Sequence, residues 1–266
     1  MRSQMFRLGS ALVLAAVCAG APPAHAQSAT ATVPKTADTA ALPDAKTILE
    51  RHVEAVGGRK ALAARNSVKT TGTIEIPANG ITGTLEAYSA RPNKMFIKQS
   101  LAGVGEITEG FDGTNGWSIN PVTGPTLLTG EELAQRAFDS DFDSTLNAAT
   151  RFTSMKTLEK TQFDGRECYK VALVRKDGAE DIEFYDVATG LKAGTTGTRK
   201  TQMGPITSTQ TVKEYKKFGD LLQPTVIAQS AMGVELTITF KTYEYDTVQP
   251  SVFEPPAPIK ALLEKK

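Results

Sequence analysis

The sequence predicts a mainly β, α+β fold: a curved antiparallel sheet of about eleven strands, capped by two or three helices. Three observations carry this expectation. From Val68 nearly to the C-terminus, apolar residues alternate with polar ones at a period of two. Short turn signals separate the runs: Pro77-Ala78-Asn79-Gly80, Asp112-Gly113, Asp164-Gly165 and Lys176-Asp177-Gly178. Helical spacing interrupts the pattern only twice, once before the first strand and once in mid-chain. There is no βαβ alternation and no internal repeat, so successive strands should pair with their neighbours.

Residues 1–26 carry the signature of a cleaved secretory signal. Arg2 and Arg7 flank the start, Leu8 to Gly20 is uncharged and mostly apolar, and Ala24-His25-Ala26 supplies small residues at −3 and −1. The apolar run would make about 20 Å of helix, against a bilayer core of about 30 Å, so it is too short to span. A lipidation site at Cys18 is the rival reading, but Val17 stands where such processing wants a small residue. Residues 27–43, rich in Ala, Thr and Pro, suit a disordered linker. The folded domain is expected over 44–256, with a short frayed tail over 257–266.

The domain opens with a helix. Asp44 is its N-cap, Ile48, Leu49, His52, Val53 and Val56 share one face, and Gly57-Gly58 stops it. Arg59 to Ala64 could add one further turn. Strands follow at Val68–Ile76, Ile81–Ala87, Lys94–Leu101, Gly105–Phe111 and Gly116–Asn120. Thr129…Glu132 then has capping-box spacing before an apolar stripe of Leu133, Ala134, Ala137 and Phe138, which predicts a helix inserted in mid-sheet. Asp139, Asp141 and Asp143 resemble the start of a calcium loop, yet Ser144 and Thr150 stand where glycine and glutamate are needed, so a solvated loop is expected. Strands resume at Phe152–Phe163, Arg166–Val174, Glu180–Val187, Leu191–Gln202, Ile206–Tyr215, Leu222–Ala231 and Val234–Tyr245.

A meander of this length must curl, because each strand twists by about 20–25° against the next. An open concave face then needs a cover, and two amphipathic helices provide one. Beneath them lies either a packed core or an apolar cavity; alternation alone does not decide between the two. The candidate lining residues in strand alternation are Ile74, Ile76, Leu85, Ile97, Ile107, Phe111, Trp117, Val171, Leu173, Phe184 and Phe240, with Leu133, Phe138, Leu49 and Val53 from the helices.

Composition excludes much chemistry. Removing residues 1–26 from 266 leaves 240, with Cys168 and His52 as the one cysteine and one histidine, and 28 basic against 29 acidic residues. No intramolecular disulfide is possible, and ordinary zinc sites need more His and Cys than this. No G-x-S-x-G motif accompanies His52. Near-neutral charge disfavours nucleic acid or an anionic surface as the main partner. Paired-carboxylate hydrolysis lacks a pair that stands out from turns and exposed faces. No metal, cofactor or catalysis is expected.

Five segments occur in a telling order: ILERHVEAVGGRKALAARNSVKTTGTIEI, GFDGTNGWSINPVTG, IEFYDVATGLKAG, EYKKFGDLLQPTVI and FKTYEYDTVQPSVFEPP, together spanning roughly residues 44–256. In this order and spacing the chain resembles the outer-membrane lipoprotein-sorting superfamily, the LolA/LolB-like carriers. The resemblance implies an incomplete β-barrel under a helical lid. It implies an apolar cavity for the acyl chains of lipids or lipoproteins, in the periplasm and without catalysis, serving transfer to the outer membrane. It implies partners in an inner-membrane donor and an outer-membrane acceptor. The alternative is a periplasmic interaction or sensory module on the same scaffold, recruiting a protein by strand addition at a sheet edge.

Overall fold

A computed structural model of the chain describes residues 41–201 and 204–265. The expected signal segment and nearly all of the expected linker lie outside these residues. Asp44 caps the first helix, α1 (Ala45–Ala55), its carboxylate accepting from the Thr47 amide at 2.9 Å. The chain then breaks at Gly57, with φ +128, and enters the short α2 (Gly58–Ala63). A side chain at Gly57 would have its Cβ 2.7 Å from the Asp220 carbonyl oxygen, so the elbow needs glycine both for its conformation and for its space.

Six strands follow in a meander: β1 (Ser67–Ile76), β2 (Ile81–Ala90), β3 (Lys94–Leu101), β4 (Gly105–Phe111), β5 (Gly116–Asn120) and β6 (Gly124–Leu127). Helices α3 (Gly130–Asp139) and α4 (Ala148–Arg151) interrupt. Seven more strands complete the sheet: β7 (Phe152–Phe163), β8 (Arg166–Arg175), β9 (Glu180–Asp186), β10 (Lys192–Thr201), β11 (Gly204–Phe218), β12 (Leu221–Ala231) and β13 (Val234–Tyr245). All belong to one antiparallel sheet in the order β6-β5-β4-β3-β2-β1-β13-β12-β11-β10-β9-β8-β7. The two meanders join where β1 pairs with β13, Val68 beside Tyr245 and Ile74 beside Ile238. The row keeps two edges, β6 and β7, and does not close.

The sheet is mainly β and curved, as alternation predicts, with thirteen strands in place of eleven or twelve. The addition is β6, whose Gly124-Pro125 opening reads as a loop; proline is tolerated there because β6 is an edge. The expected frayed tail is a second departure. It forms α5 (Ala257–Leu263) and buries Ile259 completely. Of the three aspartates that resembled a calcium loop, two form ion pairs, Asp141 with Arg151 at 2.6 Å and Asp143 with Arg91 at 3.1 Å, while Asp139 ends α3 and accepts from Gln135 at 2.6 Å.

How far the sheet curls can be read from α3. That helix touches both β5 and β10, which stand eight places apart in the strand order. Laid flat they would be roughly 38 Å apart at about 4.8 Å per strand, whereas ten helical residues span about 15 Å. The sheet therefore wraps around α3. Bulges at Thr71/Gly72, Val212/Glu214 and Lys192/Gly194 supply local bending.

Candidate functional site

The concave face enclosed by this curl is the candidate site. On its first half lies an aliphatic and aromatic cluster from β1–β4, β12 and β13, including Ile74, Ile76, Leu85, Ile97, Phe111 and Phe240, with Ile107 partly buried beside it. Leu133 and Ala137 of α3 pack on this cluster, while Phe138 turns to a second one formed by Leu49, Phe152, Val171, Leu173 and Tyr185. One helix thus bridges the two halves.

Its attachment is largely polar. The buried residue of α3 is Arg136, whose guanidinium donates to Glu109 of β4 at 2.5 Å, with the carboxylate also buried. A second nitrogen of Arg136 approaches the Met95 sulfur at 3.7 Å. On the far side Arg175 of β8 donates to Gln135 at 2.5 Å. The guanidinium carbons of Arg151 and Arg175 stand 4.0 and 4.7 Å from the ring centre of Phe138. Leu133, Ala137 and Phe138 themselves are only partly buried. The helix starts at Gly130 with φ +53 and without a side-chain cap.

The second half is covered by α1 and has a different interior. Glu183, fully buried, accepts from Lys192 at 2.9 Å and from the Tyr185 hydroxyl. Asp181, also fully buried, pairs with Arg199 at 2.6 Å. His52 is buried with its Nδ1 3.1 Å from the Gly190 carbonyl oxygen and its ring 5.4 Å from Tyr185. Arg51 donates to the Val187 and Ala188 carbonyls at 2.8 Å each, mooring α1 to the turn that follows β9. Val53 belongs to a third cluster with Val56, Leu62 and Leu221 where α1 meets α2. Near it the Tyr245 hydroxyl is pushed up to about 12, chiefly by burial, and burial likewise raises Tyr243, whose hydroxyl donates to the Pro224 carbonyl at 2.6 Å.

Two candidates lie on the other side of the sheet. Gly116 faces α3, because a Cβ there would sit 3.1 Å from the Leu133 side chain, so its neighbour Trp117 points to the convex face. Trp117 is nevertheless fully buried; there the chain's C-terminal segment reaches β3 and β6 and buries Phe253 and Ile259. Phe184 is also convex: it pairs with Lys170, out of phase with Val171 and Leu173, and stacks on Phe163 at 4.0 Å between ring centres. In both strands the apolar residues lie mainly on the convex face, Trp117 with Ile119 and Ile182 with Phe184, so alternation showed which residues share a face but not which face turns inward. One ion pair, by contrast, did leave a trace. Glu109 stands in phase with Ile107 and Phe111, which marks a charge on an otherwise apolar face, whereas Asp181 and Glu183 share theirs only with Tyr185.

A cavity between α1, the segment before α4, and β7 is lined by Lys46, Leu49, Glu50, Val53, Thr145, Leu146, Ala148 and Met155, and has a volume of about 10 Å³. That is room for about one water molecule. Helix α3 lies across the concavity, packing Leu133 and Ala137 on the aliphatic cluster.

An open antiparallel sheet wrapped around its own helices defines a half-barrel class of scaffold. No protein-family model matches the chain, and no curated protein sequence does. Among solved structures it is similar to a LolA-superfamily protein from Nitrosomonas europaea, at 13% identity and TM-score 0.54, covering 80% of this chain and 99% of that one. A DUF1329-family protein from Desulfovibrio piger matches at 12% identity and TM-score 0.54, over 79% of this chain and 97% of that one. The chain has the fold of the LolA superfamily.

Proposed function

We propose that the protein is a non-catalytic periplasmic carrier that takes up lipid acyl chains, free or on lipoproteins, on its concave face. The observation that carries this reading is the seating of α3. A short helix, held by Arg136–Glu109, Arg175–Gln135 and the cations around Phe138, covers the aliphatic face over Ile97, Ile107 and Phe111. Its own apolar residues are only partly buried, so it can leave while giving up little apolar contact. The surface it uncovers suits a hydrocarbon chain, at roughly 25 cal/mol per Å². In this reading the structure is the closed form, and α3 and the acyl chain compete for one face.

The similarity to the LolA superfamily supports the reading at the level of fold. A segment of the secretory type at residues 1–26 fits export. Strand addition at the β7 edge finds less support. That edge carries bulges at Phe152/Ser154 and Thr157/Glu159 and charges at Lys156, Glu159 and Lys160, the features by which edges resist pairing.

Two measurements test the proposal. Organic extracts of the native protein, before and after incubation with phospholipid, should yield acyl lipid by mass spectrometry; none in either case overturns it. A cysteine pair, Gly116→Cys with Leu133→Cys, should block uptake of a fluorescent fatty acid when oxidised and restore it when reduced. Equal uptake in both states would show that α3 does not guard the face.

A further inference from the structure

The antiparallel topology gives the half-barrel two ends, and at one of them four neighbouring turns lack charge, although the β8–β9 turn farther along the same end carries Lys176 and Asp177. The β1–β2, β3–β4 and β5–β6 turns fall at one end, and the pairing of β1 with β13 brings the β12–β13 turn beside them. In sheet order these four tips are consecutive. At two strand spacings between tips they form an arc of roughly 30 Å. Residues 76–82, 100–105, 119–126 and 230–234, which make up the tips, include no ionisable side chain. The turns at the opposite end carry or adjoin Arg91, Asp112, Asp164, Arg166, Asp186 and Asp220.

The uncharged tips also expose the largest apolar fractions. Val122 is 68% exposed and Met232 58%, more than any other large apolar side chain among the described residues. Behind them Ile81, Val104 and Val234 are partly buried against the aliphatic cluster, so apolar surface continues from the rim into the concave interior. Neither exposed residue serves its turn. The turn at Val122 is held by the Asn120 side chain, which accepts from the Val122 and Thr123 amides at 2.9 Å each. Met232 has φ +52 ahead of Gly233 at +77, a conformation that favours Asn, Asp or Gly, so methionine there is strained and still left in water.

We infer that this rim docks on a lipid bilayer surface, with Val122 and Met232 entering the headgroup region. Separate apolar pegs on glycine-containing hairpins suit a fluid interface, which closes around each one, better than a flat protein partner. Exposed Glu75, Glu106 and Glu235 stand just behind the tips. They select uncharged or zwitterionic headgroups, so association should not depend on salt. The inference gives the proposed carrier its delivery surface, and rests on that reading only for what the docking serves.

The test is flotation of the purified protein, in the form the cell accumulates, with phosphatidylcholine vesicles. The wild type should float equally in low and high salt. Val122→Asp with Met232→Asp should reduce vesicle association by about tenfold or more. Met232→Asn should keep or raise the melting temperature by relieving the turn, yet still weaken flotation, separating docking from folding. Absence of wild-type flotation, full flotation of the double variant, or flotation lost in high salt would each overturn the inference. Uptake of a soluble fatty-acid probe without flotation would sink docking and leave the carrier standing. Flotation without any acyl lipid in the extracts would support docking and sink the carrier.

Discussion

The two halves of the concave face meet their helices by opposite means. Under α3, strands β1–β4 and β13 present mostly hydrocarbon, with one buried ion pair, Arg136–Glu109, joining the helix to β4 and Gln135–Arg175 joining it to β8. Under α1, β9 and β10 bury the charges themselves, Glu183 with Lys192 and Asp181 with Arg199. A hydrocarbon face is non-directional and accepts any apolar cover, whereas buried ion pairs demand one geometry. The difference assigns one half to adaptable contact and the other to fixed seating.

The largest expected effect is in the charged half. Glu183→Ala leaves Lys192 buried without this partner and should cost about 3–5 kcal/mol in urea unfolding. A loss below about 1 kcal/mol would mean that these charges are effectively solvated and the contrast is false. Leu85→Ala, at a side chain 1% exposed in the hydrocarbon half, should cost about 2–4 kcal/mol, depending on how the site collapses. A smaller effect sharpens the role of the α3 contacts. Glu109→Leu alone should destabilise strongly, but Glu109→Leu with Arg136→Met should return to within about 1.5 kcal/mol of the wild type, since a buried pair can be replaced by apolar residues. Additive losses in that double-mutant cycle would show that the two residues act separately.

The smallest effect is with pH. The fold keeps the Tyr245 phenol protonated up to about 12, while the unfolded chain releases its proton near 10.0. That contribution is complete below pH 10 and is lost as pH rises towards 12, and burial of Tyr243 acts in the same direction. Urea midpoints should fall over this window, and Tyr245→Phe should make the fall shallower. An unchanged slope would assign the alkaline loss to other groups.

Much of this architecture was legible along the chain. Period-two alternation from Val68 onward located twelve of the strands, and Asp44, Gly57 and the Leu133–Phe138 stripe located the two principal helices. The site was less legible. Ile97, Ile107 and Phe111 share the cluster on which Leu133 and Ala137 of α3 pack, but Trp117 and Phe184 face outward, because the apolar side of those two strands is the convex one and alternation does not say which side turns inward. The burial of Glu109 was visible only as a charge in phase with Ile107 and Phe111.

The sequence by itself determined the strand-turn-strand order, the antiparallel pairing and the need for a helical cover. Each of these follows from local periodicity and turn chemistry within a few residues. Only the tertiary structure decided that α3 packs on the concave face, that the tail packs at β3 and β6, and that four uncharged turns share one rim. Those facts depend on which distant strands the curl brings together, and a one-dimensional pattern has no coordinate for curvature.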